Sequence, residues 1–590
     1  MTDPATGGLR EATALSEQGR LDAAEAICQR VLQDNPRDAE TLHLLGLIAL
    51  QRGEPNEAAR LIGEAVALAP REAKYRINLG AVLNQAGRSE EALATVRHVV
   101  ALHPDYPEAH NNLGSALVRL GQCEAALASY DRAIALRPDY DEAYYNRGVA
   151  QQSLKRFDDA VASYQQAIAL QPDYLEAYNN LGIVLVELGR FDEALASYGQ
   201  VLALDPDYDE AFYNRGVALQ TMEHYEAANA SYDRAIALRP DYADAFKNRG
   251  MAMQALDRHG EALADFDRAI AIRPHHAPTH FTRSVCLLQA GDLPRGWREY
   301  EWRWRTPELM VGWRQFPEPF WRGDQPIGGK TILLHAEQGL GDTLQFCRFV
   351  PHVAALGARV VLEVQQPLGR LLADFPGAAQ TIIRGEDPPP FDVHCPLLSL
   401  PLALGTTLET IPAGSYIAAD PELLAHWRRR VAALPGFRVG LVWAGGPGLV
   451  ADRRRSMALE RLAPLAEVPG VSLVSLQKGA AAAQVRASSA LRLHDFTDDL
   501  QDFADTAALV ASLDLVISVD TSVVHLAGAL GRPVWLLDRF DNCWRWLRGR
   551  EDSPWYPTLR LFRQTAPGDW DGVIARVGVA LWGRVAAHAD

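Results

Sequence analysis

Prolines stand at 36, 70, 104, 138, 172, 206, 240 and 274, and every gap between them is 34 residues. Glycines keep the same step at 46, 80, 114, 148, 182, 216 and 250, and alanines at 58, 92, 126, 160, 194, 228 and 262. A period of this length marks a supersecondary unit that cannot bury its apolar face alone, so successive units must stack. Each residue type has a physical reason. Glycine and alanine let two helices of one unit approach closely, and proline stands in the turn where no helix can continue. The pattern predicts a curved solenoid of helical hairpins. A first imperfect unit begins at Ala5, with Ala12 at the glycine position, and a last degenerate one begins near Ala277, with Ser284 there. Atypical end units are what capping requires.

The 34-residue step and the proline, glycine and alanine columns resemble the tetratricopeptide repeat, two antiparallel helices per unit. One further column matters. Asn78, Asn112, Asn146, Asn180, Asn214 and Asn248 lie one period apart, two residues before each glycine. An amide both donates and accepts, so a ladder of amides suits an extended polypeptide of any sequence. The column resembles the asparagine ladder of the protein O-linked N-acetylglucosamine transferases, which join such repeats to a GT-B domain. Asparagine is also a common consensus residue of these repeats, so the column reads equally as repeat chemistry. The six asparagines are the expected acceptor-binding residues.

The net charge of −16 gives no general footprint for nucleic acid or an anionic membrane. The cysteines 28, 123, 286, 347, 395 and 543 are scattered without a CxxC, as expected of reduced thiols with no metal site. The first twenty residues are polar, and no apolar run reaches the ~18 residues of a spanning helix. These features predict a cytoplasmic protein with no membrane span.

The second half turns on Leu513 to Leu537. Leu515 to Val519 is a β-branched run suited to a buried parallel strand. Asp520, Thr521 and Ser522 break it and favour a helix start. A small-residue helix follows to Leu530, ended by Gly531 with Pro533 beyond, and Val534 to Leu537 reads as the next strand. Polar side chains thus crowd a helix N-terminus, whose free N–H groups and dipole suit a phosphate. Asp520, Thr521, Ser522, His525, Leu526, Ala527, Ala529, Leu530, Gly531 and Pro533 resemble the donor-binding signature of the ADP-heptose–lipopolysaccharide heptosyltransferase family, which has a GT-B fold. That family usually has glycine where Ser522 stands.

The resemblance extends upstream. Thr331 to Leu334 reads as a strand, followed by Gly339, Gly341 and Asp342 and a helix from Thr343 to about Leu356. The family has a Gly-Asp at this turn whose aspartate is taken as the catalytic base, which implies that role for Asp342. The bland alternative is a capping box with Gln345. Val439 to Trp443 opens a second Rossmann-like lobe, followed by Gly445, Gly446 and Gly448. The family carries a basic residue near here for the donor phosphates, which points to Arg454 or Arg455. Lys478 follows the strand Val471 to Leu476, at a carboxyl end where phosphates would lie. Asp505 and Thr506 are expected to open the helix before Leu513. The tail holds Trp544-Arg545-Trp546.

Between the halves, Gly296 to Trp321 holds five of the chain's 13 tryptophans, Trp297, Trp302, Trp304, Trp313 and Trp321. They are expected to belong to a capping helix, Trp297 to Arg305, and to a joint docking the solenoid onto the next domain. That joint would fix the concave repeat face relative to the cleft.

The expected architecture is an α-solenoid over residues 1–295, a tryptophan-rich joint over 296–328, and a GT-B-like pair of Rossmann-like lobes over 329–430 and 431–590. The expected function is metal-independent transfer of a sugar from a nucleotide sugar, a co-substrate rather than a cofactor, to an acceptor hydroxyl. Asp342 would be the base, and Asp520, Thr521, Ser522, His525, Lys478, Arg454, Arg455 and Gly445 would hold the donor. The first lobe, about ninety residues, is small for a full acceptor lobe, which favours a polypeptide held by the repeats. A non-catalytic scaffold and a glycan acceptor are the alternatives.

Overall fold

A computed structural model describes residues 4–306, 314–446, 452–488 and 491–589. The chain divides into two compact units, Met1–Ala245 and Phe246–Asp590.

The first unit is built of helical hairpins, after the first one 13 residues then 14, as in Asp141–Ser153 with Phe157–Leu170 and Leu175–Glu187 with Phe191–Leu204. The glycine column explains the pairing. A Cβ on Gly148 would stand 2.6 Å from a ring carbon of Tyr164, sixteen residues on. Gly46 faces Ile62, Gly80 faces Val96, and Gly114, Gly182 and Gly216 face Tyr130, Tyr198 and Tyr232. The four tyrosines are at most 1% exposed. Each hairpin therefore closes as a large side chain enters the hole left by a missing one, and each such burial stabilises by about 1.5–3 kcal/mol. The repeat continues into the second unit. Gly250 faces Phe266, and the helices His259–Ile272, Ala277–Gln289 and Leu293–Tyr300 follow.

The expected capping helix is displaced and shortened. It spans Leu293–Tyr300, with Asp292 accepting from the Arg295 N–H, and Glu301–Arg305 continues as a 3-10 turn. Trp297 is 2% exposed and packs edge-on against Phe346, Trp544 and Trp555 of the α/β region. Trp302 stacks on His280 at 3.9 Å. Trp321 is buried with its indole N–H on the Gln325 carbonyl. Trp313 lies outside the described residues.

Among the described residues, the α/β region holds two sheets whose neighbouring strands all pair in parallel. The first has the order β3-β2-β1-β4, with β1 Thr331–His335, β2 Arg359–Val364, β3 Ala378–Ile383 and β4 Val393–Pro396. The second has the order β10-β9-β8-β5-β6-β7. Its strands are β5 Phe437–Val442, β6 Val471–Ser475, β7 His494–Asp495, β8 Leu515–Val519, β9 Val534–Asp538 and β10 Leu559–Arg563. One apolar core runs from Leu288 and Trp297 through Leu334 and Leu362 to Val516 and Leu536. A second lies under the helix Trp570–Ala589 on the other face of the second sheet.

Three local expectations are corrected. The helix expected from Thr343 to Leu356 is broken into Leu340–Phe346, a 3-10 turn Cys347–Phe349 and Val350–Ala355. Pro351 has no N–H to continue the first segment, and Arg348 in the turn is buried, donating to the carbonyls of Gln345, Pro412 and Trp555. Phe391 to Val393 reads as a short strand in the sequence; β4 begins only at Val393, and the Asp392 carboxylate before it accepts from the Thr331 N–H at 2.7 Å. The helix Phe503–Ala511 is opened by Asp502, whose carboxylate accepts from Ala504 and Asp505; Asp505 instead pairs with Arg370.

Candidate functional site

The carboxyl ends of β1, β5 and β8 open on one cleft of about 790 Å³ within the second unit. Two strand-to-helix turns meet across it. From β1 the chain passes through Gly339 into the helix Leu340–Phe346. From β8 it passes through Asp520 and Thr521 into the helix Ser522–Ala529. The helices are packed so closely that a Cβ on Gly341 would lie 2.8 Å from His525 Cδ2 and 3.5 Å from Ser522 Cα.

Asp342 is at the centre. Its Oδ2 accepts the Gly339 N–H at 2.9 Å, and its Oδ1 accepts from Arg545 of the other lobe. Capping and a position in the cleft are therefore combined in one carboxylate.

Thr521, at the N-cap of the Ser522 helix, makes no side-chain capping hydrogen bond. Its Oγ1 instead hydrogen-bonds Ser518 Oγ at 3.1 Å. Ser522 and Asp520 line the cleft. His525 also faces it, with Nδ1 3.0 Å from the Tyr556 hydroxyl and its ring stacked on Trp546 at 5.2 Å. Burial, with Arg545 and Arg348 adding to it, lowers its pKa well below the ordinary histidine value, so the ring is neutral.

Gly445 lines the cleft beyond β5, where its N–H donates to Ser456 Oγ at 2.9 Å. A Cβ there would stand 2.3 Å from Asp452 Oδ1 and 2.4 Å from Arg455 Nη2, so these side chains would have to shift. Gln477 shapes this turn by accepting from the Trp443 and Ala444 N–H groups at 3.1 and 2.9 Å. Gly448 lies outside the described residues. Of the two candidate arginines, Arg455 reaches the cleft and donates to the Asp520 carbonyl at 2.9 Å. Arg454 does not line it and pairs with Asp541 at 2.9 Å. Lys478 is likewise held elsewhere: its ammonium donates to the Thr497 and Leu500 carbonyls at 2.7 and 3.0 Å. The Thr497 carbonyl also closes the 3-10 turn Thr497–Asp499, and the two carbonyls hold the ammonium that a phosphate was expected to use.

The asparagine column also has another task. The Asn112 amide donates to the Ile77 carbonyl, that of Asn146 to Asn111 Oδ1, that of Asn180 to the Tyr145 hydroxyl and that of Asn214 to Asn179 Oδ1, all at 3.0–3.1 Å. Asn78 meets His43 Nε2 at 2.8 Å. Each reaches 35 residues back into the preceding repeat, so the column stitches neighbouring hairpins together. Asn248 holds an interaction of its own.

The cleft contains groups that sequence reasoning missed. Arg303, Arg314, Arg384, Arg539 and Arg545 line it with Arg455, against the carboxylates of Glu337, Asp342 and Asp520. Arg303 is fully buried, with Nε and Nη2 3.1 Å from the two carboxylate oxygens of Glu337. Phe281 and Trp304, from the last repeat and the turn after it, form a further wall. Only the Trp544-Arg545-Trp546 triplet carried a signal in the sequence, an arginine between two bulky anchors.

The first half of the chain carries tetratricopeptide repeats. One family described as a TPR repeat matches residues 114–155, 153–189 and 184–223, and another described as a tetratricopeptide repeat matches 9–59, 43–107 and 213–277. The chain is similar to protein FlbA of Caulobacter vibrioides, 32% identical over 329 residues, which take in 51% of this chain and 54% of that one. It thus spans about half the length of that curated relative. Among solved structures it is similar to the Cut9-Hcn1 hetero-tetramer of APC/C, at 18% identity, 48% of this chain, 55% of that chain and a TM-score of 0.39. It is also similar to YrrB, described as a TPR protein with an unusual peptide-binding site, at 24% identity, 32% of this chain, 97% of that chain and a TM-score of 0.28. No described helix is long and apolar enough to cross a membrane.

Proposed function

We propose that the chain is a glycosyltransferase of GT-B architecture that transfers a sugar from a nucleotide-sugar donor to a hydroxyl, on a polypeptide recruited by the repeats. The observation that carries the reading is the uncapped N-terminus of the Ser522 helix in a cleft lined by six arginines. Such a terminus and such side chains suit a diphosphate. The acceptor oxygen would bond to the anomeric carbon as the carbon–phosphate-oxygen bond breaks. The bonding pair would leave with the diphosphate, and the hydroxyl proton would go to Asp342. Asp520, beside the helix terminus, would hydrogen-bond the sugar, and the helix N–H groups with Arg455 would stabilise the departing charge.

The charge balance bears on the partner. Residues 1–245 hold 21 basic and 37 acidic side chains, the whole of the −16, whereas residues 246–590 hold 37 of each. A polypeptide drawn to the repeats by charge is basic, and its capture weakens with salt.

One observation favours a non-catalytic scaffold: both Asp342 oxygens already have partners. Incubation of the full chain with radiolabelled nucleotide sugars separates the two readings. Release of labelled sugar to water or to a basic polypeptide, lost in Asp342→Asn, supports the transferase. No release from any nucleotide sugar that binds supports the scaffold.

A further inference from the structure

Building on the donor-site reading, we propose that Arg545 is shared between two anions, the Asp342 carboxylate that it holds in this structure and the diphosphate of a bound nucleotide. Binding of the nucleotide would thereby release the base.

The argument begins with the guanidinium. Its Nε donates to Gln345 Oε1 at 2.8 Å, Nη1 to Cys543 Sγ at 3.2 Å, and Nη2 to Asp342 Oδ1, and its Cζ lies over the Trp544 ring, 4.2 Å from the centroid. A guanidinium has five N–H groups, so two on the Nη atoms remain after these three bonds. Of the three partners, Asp342 alone carries a full charge. The group is otherwise held by a neutral amide, a thiol and an aromatic face, none of which changes when the anion is exchanged.

Placement is the second step. Arg545 lines the cleft between the two helices whose first turns nearly touch at Gly341 and Ser522. Its charge is felt by His525, one turn into the Ser522 helix, and it is ion-paired with Asp342. A diphosphate on that helix terminus would lie beside the same guanidinium. It carries more negative charge than one carboxylate and accepts a planar bidentate fork. The carboxylate would keep its bond from the Gly339 N–H and stay oriented, with Oδ1 freed to accept the hydroxyl proton. The exchange would couple base release to donor arrival.

Competition makes an uncommon prediction: removing the carboxylate tightens the nucleotide. Calorimetric titrations of ADP, UDP, GDP and CDP, with the corresponding monophosphates, are carried out on the full chain and on Asp342→Asn and Arg545→Gln. The tightest diphosphate is expected to bind Asp342→Asn about fivefold or more tightly than wild type, with little change for its monophosphate. Arg545→Gln is expected to weaken it at least about tenfold, with part of the loss restored in Arg545→Lys. Circular dichroism checks folding, and Asp342→Ser replaces a misfolded Asn variant. If wild type binds a diphosphate and the Asp342 variant binds it no more tightly, the sharing is wrong while the donor site stands. If no diphosphate binds folded wild type, the donor site fails and the sharing with it.

Discussion

Gly341 and His525 face each other across the cleft so closely that a methyl group at 341 would lie 2.8 Å from the imidazole Cδ2. His525 cannot easily yield, because it is stacked on Trp546 and hydrogen-bonded to Tyr556. Gly341→Ala is therefore expected to part the two helix N-termini. The cost is about 1–3 kcal/mol of stability, seen as a lower Tm, with weaker nucleoside diphosphate binding. An unchanged Tm and affinity would mean that the helices are free to separate.

Five of the six asparagines of the column, Asn78 to Asn214, make hydrogen bonds between repeats. Asn214 donates to Asn179, which donates to Glu210 at 3.2 Å. Asn214→Ala is expected to cost about 0.5–1.5 kcal/mol in urea unfolding. No loss of stability, with weakened binding of a polypeptide partner, would return the column to ligand recognition.

Asn229 breaks a rule of its repeat. It is 5% exposed and neither side-chain polar atom has a partner among the described residues, whereas Leu93, Leu127, Val161 and Leu195 stand one to four periods earlier. Asn229→Leu is expected to stabilise the chain by about 1–3 kcal/mol, the cost of an unsatisfied buried amide. A lower Tm would show that the site cannot take leucine.

His335 and His394 meet at 3.1 Å, each 4% exposed. Burial lowers His335 well below the ordinary histidine value, with help from His394, Arg314, Arg384 and Arg303. It lowers His394 to about 4 although Glu318 opposes the shift. The unfolded chain takes up these protons near pH 6.5, so between about 6.5 and 4 it binds more protons than the folded one. Stability is accordingly full above pH 6.5 and falls as pH is lowered through that window. His394→Gln keeps a hydrogen-bonding side chain without the titration and is expected to flatten the slope of Tm against pH. An unaltered slope would assign the loss to other groups.

What could be read from the sequence followed from local rules. The 34-residue step fixes hairpins because each glycine hole and its filler, such as Gly148 and Tyr164, lie in one unit. Leu515–Val519 is legible as a strand because a buried parallel strand is a continuous apolar run. What was missed depends on distant chain. Nothing near Lys478 shows that the Thr497 and Leu500 carbonyls occupy it. Nothing near Asp342 shows that Arg545, 203 residues on, meets its carboxylate. Arginines reach a cleft from several elements and leave no spacing to read.

Cys543 lines the cleft beside Arg545, with its thiol pKa raised by burial against the pull of that arginine. Cys28, Cys286, Cys347 and Cys395 are buried, and Cys123, half-buried in the first unit, serves as an internal reference. The decisive measurement is the rate of iodoacetamide modification at Cys543 relative to Cys123, read by mass spectrometry at mildly alkaline pH with and without saturating nucleoside diphosphates. A donor site predicts that at least one diphosphate slows Cys543 several-fold and leaves Cys123 unchanged. Equal rates at Cys543 with every diphosphate would contradict a nucleotide-sugar site in this cleft.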